Sequence, residues 1–261
     1  MKYALGVIGL FFIGAFGLKA QENSGEWKRL FNGKDLTGWY VHVRGLPKNS
    51  DPTNIVTVTD GMIHMYSTAE QGSKQPVAIV STEKEFSDYD LRFEYKWGVK
   101  RYAPRTEKIR DAGLLYHSYD EQVWPSSVEC QIQEGDTGDI FVVRSQIKTS
   151  TDPKQTKDVF LPESKGGIMN TFGKPDGVVG IRKTHDCEKE GWNTVEVKIR
   201  GNSAVHIING QTNNMVFSMA KMTDGKWEPL TKGRIALQAE FAEVFYRNIE
   251  IRHAKANSAK K

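Results

Sequence analysis

A period of two recurs along this chain, and a helical period almost nowhere. From Tyr89 to Trp97, Leu91, Phe93, Tyr95 and Trp97 alternate with Arg92, Glu94 and Lys96. Val195, Val197 and Ile199 repeat the pattern between Gly191 and Arg200. Side chains of an extended chain change face at every residue, so each run has one apolar side. Asp60-Gly61, Gly201-Asn202 and Asn209-Gly210 punctuate the runs, and such pairs tolerate the positive φ of tight hairpin turns. Shorter apolar runs at Val77 to Ser81, Ala112 to Ser118, Arg234 to Gln238 and Val244 to Arg252 complete the set. Many short strands between turn signals predict an all-β chain, an antiparallel sandwich or barrel. No fixed-period repeat points to a propeller or solenoid.

The ends read differently from the body. Lys2, the uncharged run Tyr3 to Leu18, and Ala20 before Gln21 read as a secretory signal peptide over residues 1–20. The run is short for a membrane span, which needs about 20 residues. Residues 21–253 read as one domain and 254–261 as a basic tail. The expectation is a periplasmic or secreted protein with no span after cleavage. The formal charge of +4 belongs to the ends: setting aside Lys2, Lys19, Lys255, Lys260 and Lys261 leaves 31 basic residues against 32 acidic ones. A near-neutral body has no field to gather phosphate backbones, which argues against nucleic acid. Cys130 and Cys187 are the only cysteines; Cys130 lies on the apolar side of its strand, where a buried free thiol is expected.

The segment from Ser127 to Gly138 carries the most chemistry. Val128, Cys130 and Ile132 take one side of a strand, and Glu129, Gln131 and Gln133 the other. A carboxylate with two amides suits a hydroxyl-rich ligand. Gln238 and Glu240 form a second such row opposite Ile235 and Leu237, and His117 shares a side with Gly113 and Leu115. On the outer face of a curved sheet these strands form a groove in which Glu129, Glu240 and His117 converge. Trp39, Tyr116 and Trp124 are candidate platforms for sugar rings, with core packing as the ordinary alternative for each. Lys100 to Arg110 reads as a basic, solvated loop. Asp136 to Gly180 has weak periodicity and reads as a long connection that covers the groove. Phosphate-binding glycine loops, Gly-x-Ser-x-Gly and His-Glu-x-x-His are absent from the sequence.

Several segments together resemble the 3-keto-disaccharide hydrolase domain family. They are Leu30-Phe-Asn-Gly-Lys-Asp-Leu-Thr-Gly-Trp39, Asp111-Ala-Gly-Leu-Leu-Tyr-His117, Glu129-Cys-Gln131-Ile, Gly191-Trp-Asn193-Thr, and Leu237-Gln-Ala-Glu240 leading into Tyr246-Arg-Asn-Ile249. The family often has Gly where Phe241 stands here. The resemblance implies a concanavalin A-like, glucanase-like jelly-roll of two antiparallel sheets. It also implies cleavage of glycosides whose sugar carries a ketone at carbon 3. The roles it suggests are Glu129 or Glu240 as base or metal ligand and His117 as acid or oxyanion partner. Gln131, Gln133, Gln238 and Arg247 would hold hydroxyls. A divalent cation (Ca, Mg or Mn) on Glu129, Glu240 or His117 would suit the enolate chemistry, with no organic cofactor.

Two other readings stay open. Glu129-x-Gln131-x-x-Glu134 looks like the catalytic strand of laminarinase-type retaining glycosidases, whose carboxyl groups stand about 5–5.5 Å apart. Glu129 and Glu134 share a face only across a β-bulge. A non-catalytic carbohydrate-binding module would use the same amides and aromatics.

Overall fold

The computed structural model describes residues 25–254; the leader read at residues 1–20 and the tail beyond Ala254 lie outside the described residues. Among these residues eighteen strands follow one another, with a single 3-10 turn at Glu163–Lys165. The first six are β1 (Lys28–Arg29), β2 (Trp39–Val43), β3 (Val56–Thr59), β4 (Met62–Met65), β5 (Ala78–Thr82) and β6 (Tyr89–Arg101). Next come β7 (Asp111–Ser118), β8 (Ser127–Gln133), β9 (Ile140–Val143), β10 (Gln146–Thr151), β11 (Ile168–Gly173) and β12 (Val178–Ile181). The last are β13 (Asn193–Arg200), β14 (Ser203–Ile208), β15 (Gln211–Thr223), β16 (Lys226–Pro229), β17 (Arg234–Ala239) and β18 (Ala242–His253).

They form two antiparallel sheets packed face to face, the jelly-roll sandwich expected from the sequence. The larger has 11 strands, in the order β11-β10-β15-β14-β13-β6-β18-β4-β3 with β1 on β18 and β16 on β15. The smaller has seven, in the order β12-β9-β8-β7-β17-β5-β2. The alternation of β6 does what its pattern demands: Tyr89, Leu91, Phe93 and Tyr95 are at most 1 % exposed. They meet Leu114, Cys130, Ile132 and Leu237 of the smaller sheet in the main core. Cys130 and Cys187 are free thiols, Cys130 being buried. Asp60-Gly61 and Asn209-Gly210 both have positive φ, as two-residue hairpin turns require. Among the described residues no helix is long and apolar enough to cross a membrane.

Residues 136–180 do not form an irregular cover. They fold into β9 and β12 at one edge of the smaller sheet, and β10 and β11 at one edge of the larger. Their periodicity is weak because an edge strand needs no strict apolar face: on β11, Asn170 and Thr171 are both exposed.

Candidate active site

Strands β7 and β8 are buried on both faces apart from the half-buried Gln133. The face turned from the core carries polar side chains, and strand register stacks them in three cross-strand rows. Asp111 pairs with Gln133 on one side and Glu240 on the other. Gly113 pairs with Gln131, and the Leu237–Leu114 pairing puts Gln238 level with it on β17. Leu115 pairs with Glu129 on one side and Ala236 on the other. At the centre Gly113 leaves a hole: a Cβ there would overlap Glu129 Oε1 and stand 3.0 Å from Gln238 Oε1. The result is a pit floored by glycine and walled by acids and amides.

Two loops roof it. From the 102–110 loop, Arg105 Nη1 donates to Asp111 Oδ2 at 2.5 Å and to Glu240 Oε1 at 2.8 Å. Gln131 Nε2 and Gln133 Nε2 donate to the two oxygens of Asp111 at 3.1 and 2.7 Å. From the 119–126 loop, Trp124 Nε1 donates to Glu129 Oε2 at 3.3 Å. Under this roof Glu129 is 2 % exposed, and Asp111, Gln131 and Gln238 each 5 %. The amide oxygens of Gln131 and Gln238 have no partner, a rare and costly state for buried acceptors.

Three acids around one guanidinium cannot all ionise cheaply. Burial, then the charges of Asp111 and Glu240, push the Glu129 carboxyl well above the usual carboxylate range. Burial also raises Asp111, against the pull of Arg105. Glu240 is raised to about 7 by burial and by Asp111, with Arg105 acting the other way. The site therefore holds a buried carboxyl, Glu129, displaced toward its protonated form, beside Glu240, raised to about 7, an arrangement suited to acid–base chemistry.

The sequence from residue 26 to 252 matches the 3-keto-alpha-glucoside-1,2-lyase-like domain. The chain belongs to that family. Every strand but the last residue of β18 lies in the matched span. Two solved structures from Parabacteroides distasonis ATCC 8503, each described as a putative glycosyl hydrolase, share the fold. One is 20% identical, with 88% of this chain and 100% of that one aligned at a TM-score of 0.51. The other is 17% identical, with 88% and 94% aligned at 0.51. No curated protein matches the sequence.

In this 3-keto-glucoside-lyase-like domain the pit gathers Glu129, Gln131, Gln133, Gln238, Glu240 and Trp124, but not the other expected site residues. His117 falls where the β7–β17 register shifts, and with φ of 51° it leaves the row of Gly113 and Leu115. The bulge turns it inward, where Nε2 faces Gly201 O at 3.0 Å and the ring meets Tyr89 and Tyr116 edge-on. Tyr116 is a core residue whose hydroxyl meets His206 Nε2 at 2.9 Å. Trp39 is buried in the core and donates to Leu30 O. Arg247 is on the outer face of the other sheet, stacked on Trp192 at 3.7 Å and paired with Glu94 at 2.7 Å. Glu134 is held by Arg110 and Arg101, which lowers its pKa to about 2. β8 runs regularly to Gln133, so no bulge brings Glu134 onto the face of Glu129.

Asp111 and Arg105 are the site residues that sequence reasoning passed over. Counting back by twos from Gly113 reaches Asp111; nothing in a basic loop singles out Arg105. Phe241 has φ of 60°, the left-handed region that glycine occupies without strain. The ligand set expected for a cation is not assembled. His117 is elsewhere, the Arg105 guanidinium stands between Asp111 and Glu240, and among the described residues no three acids, histidines or cysteines are gathered to hold a metal ion. A groove of about 560 Å³ lined by Trp97, Val99, Arg110 and Glu188 includes none of the three acids.

Proposed function

We propose that this domain cleaves glycosides whose sugar carries a ketone at carbon 3, by elimination across carbons 1 and 2. The observation that carries the reading is the set of three acids on one sheet face, Glu129 and Asp111 buried and Glu240 partly exposed, with one arginine clamped between Asp111 and Glu240. The ketone acidifies the hydrogen on carbon 2. Glu240, ionised for half of the molecules near neutrality, removes that proton as the carbon 2–carbon 3 enolate forms. Arg105 offers the positive charge that the enolate oxygen needs. The enolate then collapses back to the ketone, the carbon 1–oxygen bond breaks, and Glu129 delivers its proton to the departing oxygen. An enone with a carbon 1–carbon 2 double bond remains. Water adding its oxygen to carbon 1 and its proton to carbon 2 completes hydrolysis, and transfer of the proton held by Glu240 to the Glu129 carboxylate, through solvent, restores both groups. Gln131 and Gln238, with unpaired amide oxygens, receive sugar hydroxyls. No step runs through a cation.

The leader supports export to the periplasm or medium, which a mature chain starting at Gln21, read by mass spectrometry, would bear out. The reaction itself is tested with a purified 3-keto-disaccharide and its unoxidised parent. Cleavage of the keto form alone is expected. Cleavage of the parent would make the domain an ordinary glycosidase, and binding without turnover a carbohydrate-binding module. Glu129→Gln and Glu240→Gln should each lower kcat by about 10²–10⁴ while circular dichroism stays unchanged; unaltered rates in both would remove the site.

A further inference from the structure

Glu129 and Asp111 lie on the outward side of their sheet, yet the roof leaves almost none of their surface open, while Glu240 keeps about a quarter of its side chain exposed. The two roofing loops are fastened differently. In the 102–110 loop, Tyr102 is fully buried with its hydroxyl on Tyr66 O at 3.1 Å, and Arg105 is tied to two acids. The 119–126 loop is pinned at its foot, where Tyr119 N donates to Ser126 O and Arg144 donates to Trp124 O and Ser126 Oγ. Its crest is held by a few polar contacts: the half-exposed Glu121 carboxylate meets Lys48 at 2.9 Å and Arg234 at 3.4 Å, and the Glu121 carbonyl oxygen faces His42 Nδ1 at 2.8 Å. Exposed ion pairs of this kind contribute about 0–1 kcal/mol each. Beneath the crest the Trp124 indole rests on Tyr40, Ile79, Leu115 and Ala236, a small apolar patch separate from the main core. The same indole touches Glu129.

We propose that Trp124 is a gate and positioning residue for the pit. Swung off its apolar patch about its own side-chain torsions, the indole opens the way to Glu129, Gln131 and Gln238. Swung back, it shuts out water and holds the Glu129 carboxyl through its N–H. The positioning role rests on Glu129 acting as proton donor; the gating role does not.

The test reads the gate without any substrate. A water-soluble carbodiimide and an amine label accessible carboxyl groups, and peptide mass spectrometry gives the rate at Glu129. Labelling should rise tenfold or more in Trp124→Ala and several-fold in Glu121→Gln, which loosens the crest. Asp90, buried beside Arg200 and Arg252 on the other sheet, should keep its rate in both. Trp124→Phe, which retains bulk but not the N–H, should label like the wild type while kcat falls several-fold at unchanged KM. An unmoved Glu129 rate in Trp124→Ala, or a parallel rise at Asp90, would overturn the gate. Should the wild type cleave no keto-glycoside while the labelling pattern holds, the reaction falls and the gate stands.

Discussion

Glu240 ties stability to pH in an unusual direction. Its folded pKa lies above that of a free carboxylate, at about 7, so the folded chain binds a proton that the unfolded chain has released. That contribution is complete below the ordinary carboxylate range and is lost as pH rises through 7. Glu129 and Asp111 are shifted the same way. Melting temperature should therefore fall between pH 5.5 and pH 8, and Glu240→Gln should reduce the fall by about 1–2 kcal/mol, roughly 3–6 °C by calorimetry. Turnover should run the other way, rising through pH 7 as Glu240 becomes a free base. At this scale much of the pit is legible in the sequence, because period two alone aligns Glu129 with Gln131 and Gln238 with Glu240. Tertiary placement is not: a one-residue bulge removed His117 from the row, and Arg105 reaches the acids from a loop without periodicity.

Strands impose their own demands, and two glycines separate structural from chemical ones. Gly98 on β6 lies under the Glu243 carboxylate, which accepts the backbone N–H groups of Val99 and Lys100 and meets His64 at 2.9 Å. Gly113 on β7 lies under Glu129. Gly98→Ala should cost about 1–3 kcal/mol in urea melts, as overpacking does, with kcat within twofold of wild type. Gly113→Ala should displace the Glu129 carboxyl and lower kcat by about 10²-fold, in line with the loss of a positioned acid; equal kinetic effects in the two variants would dissolve the distinction. Strands with one apolar face, such as β6 and β13, are plain in the sequence. Those of the 136–180 region are not, since the terminal strands β11 and β12 pair on one side only and border solvent, where alternation weakens.

The larger sheet is knit by pairings distant in the chain: β18 lies between β6 and β4 and also receives β1. Gly25 N donates to His253 O at 3.0 Å, so the first and last parts of the described chain run side by side on the larger sheet. The acid row belongs to the smaller one. Covalent continuity between the two ends is therefore a matter of a few residues, and the order in which the strands are synthesised is open to change. A circular permutant that joins residues 25 and 254 by a short glycine-serine linker and begins at Gly225, in the exposed turn between β15 and β16, should melt within a few degrees of the parent and keep its turnover. Cargo attached ahead of residue 25 or after residue 254 would likewise be carried by the larger sheet, opposite the one that bears the acids.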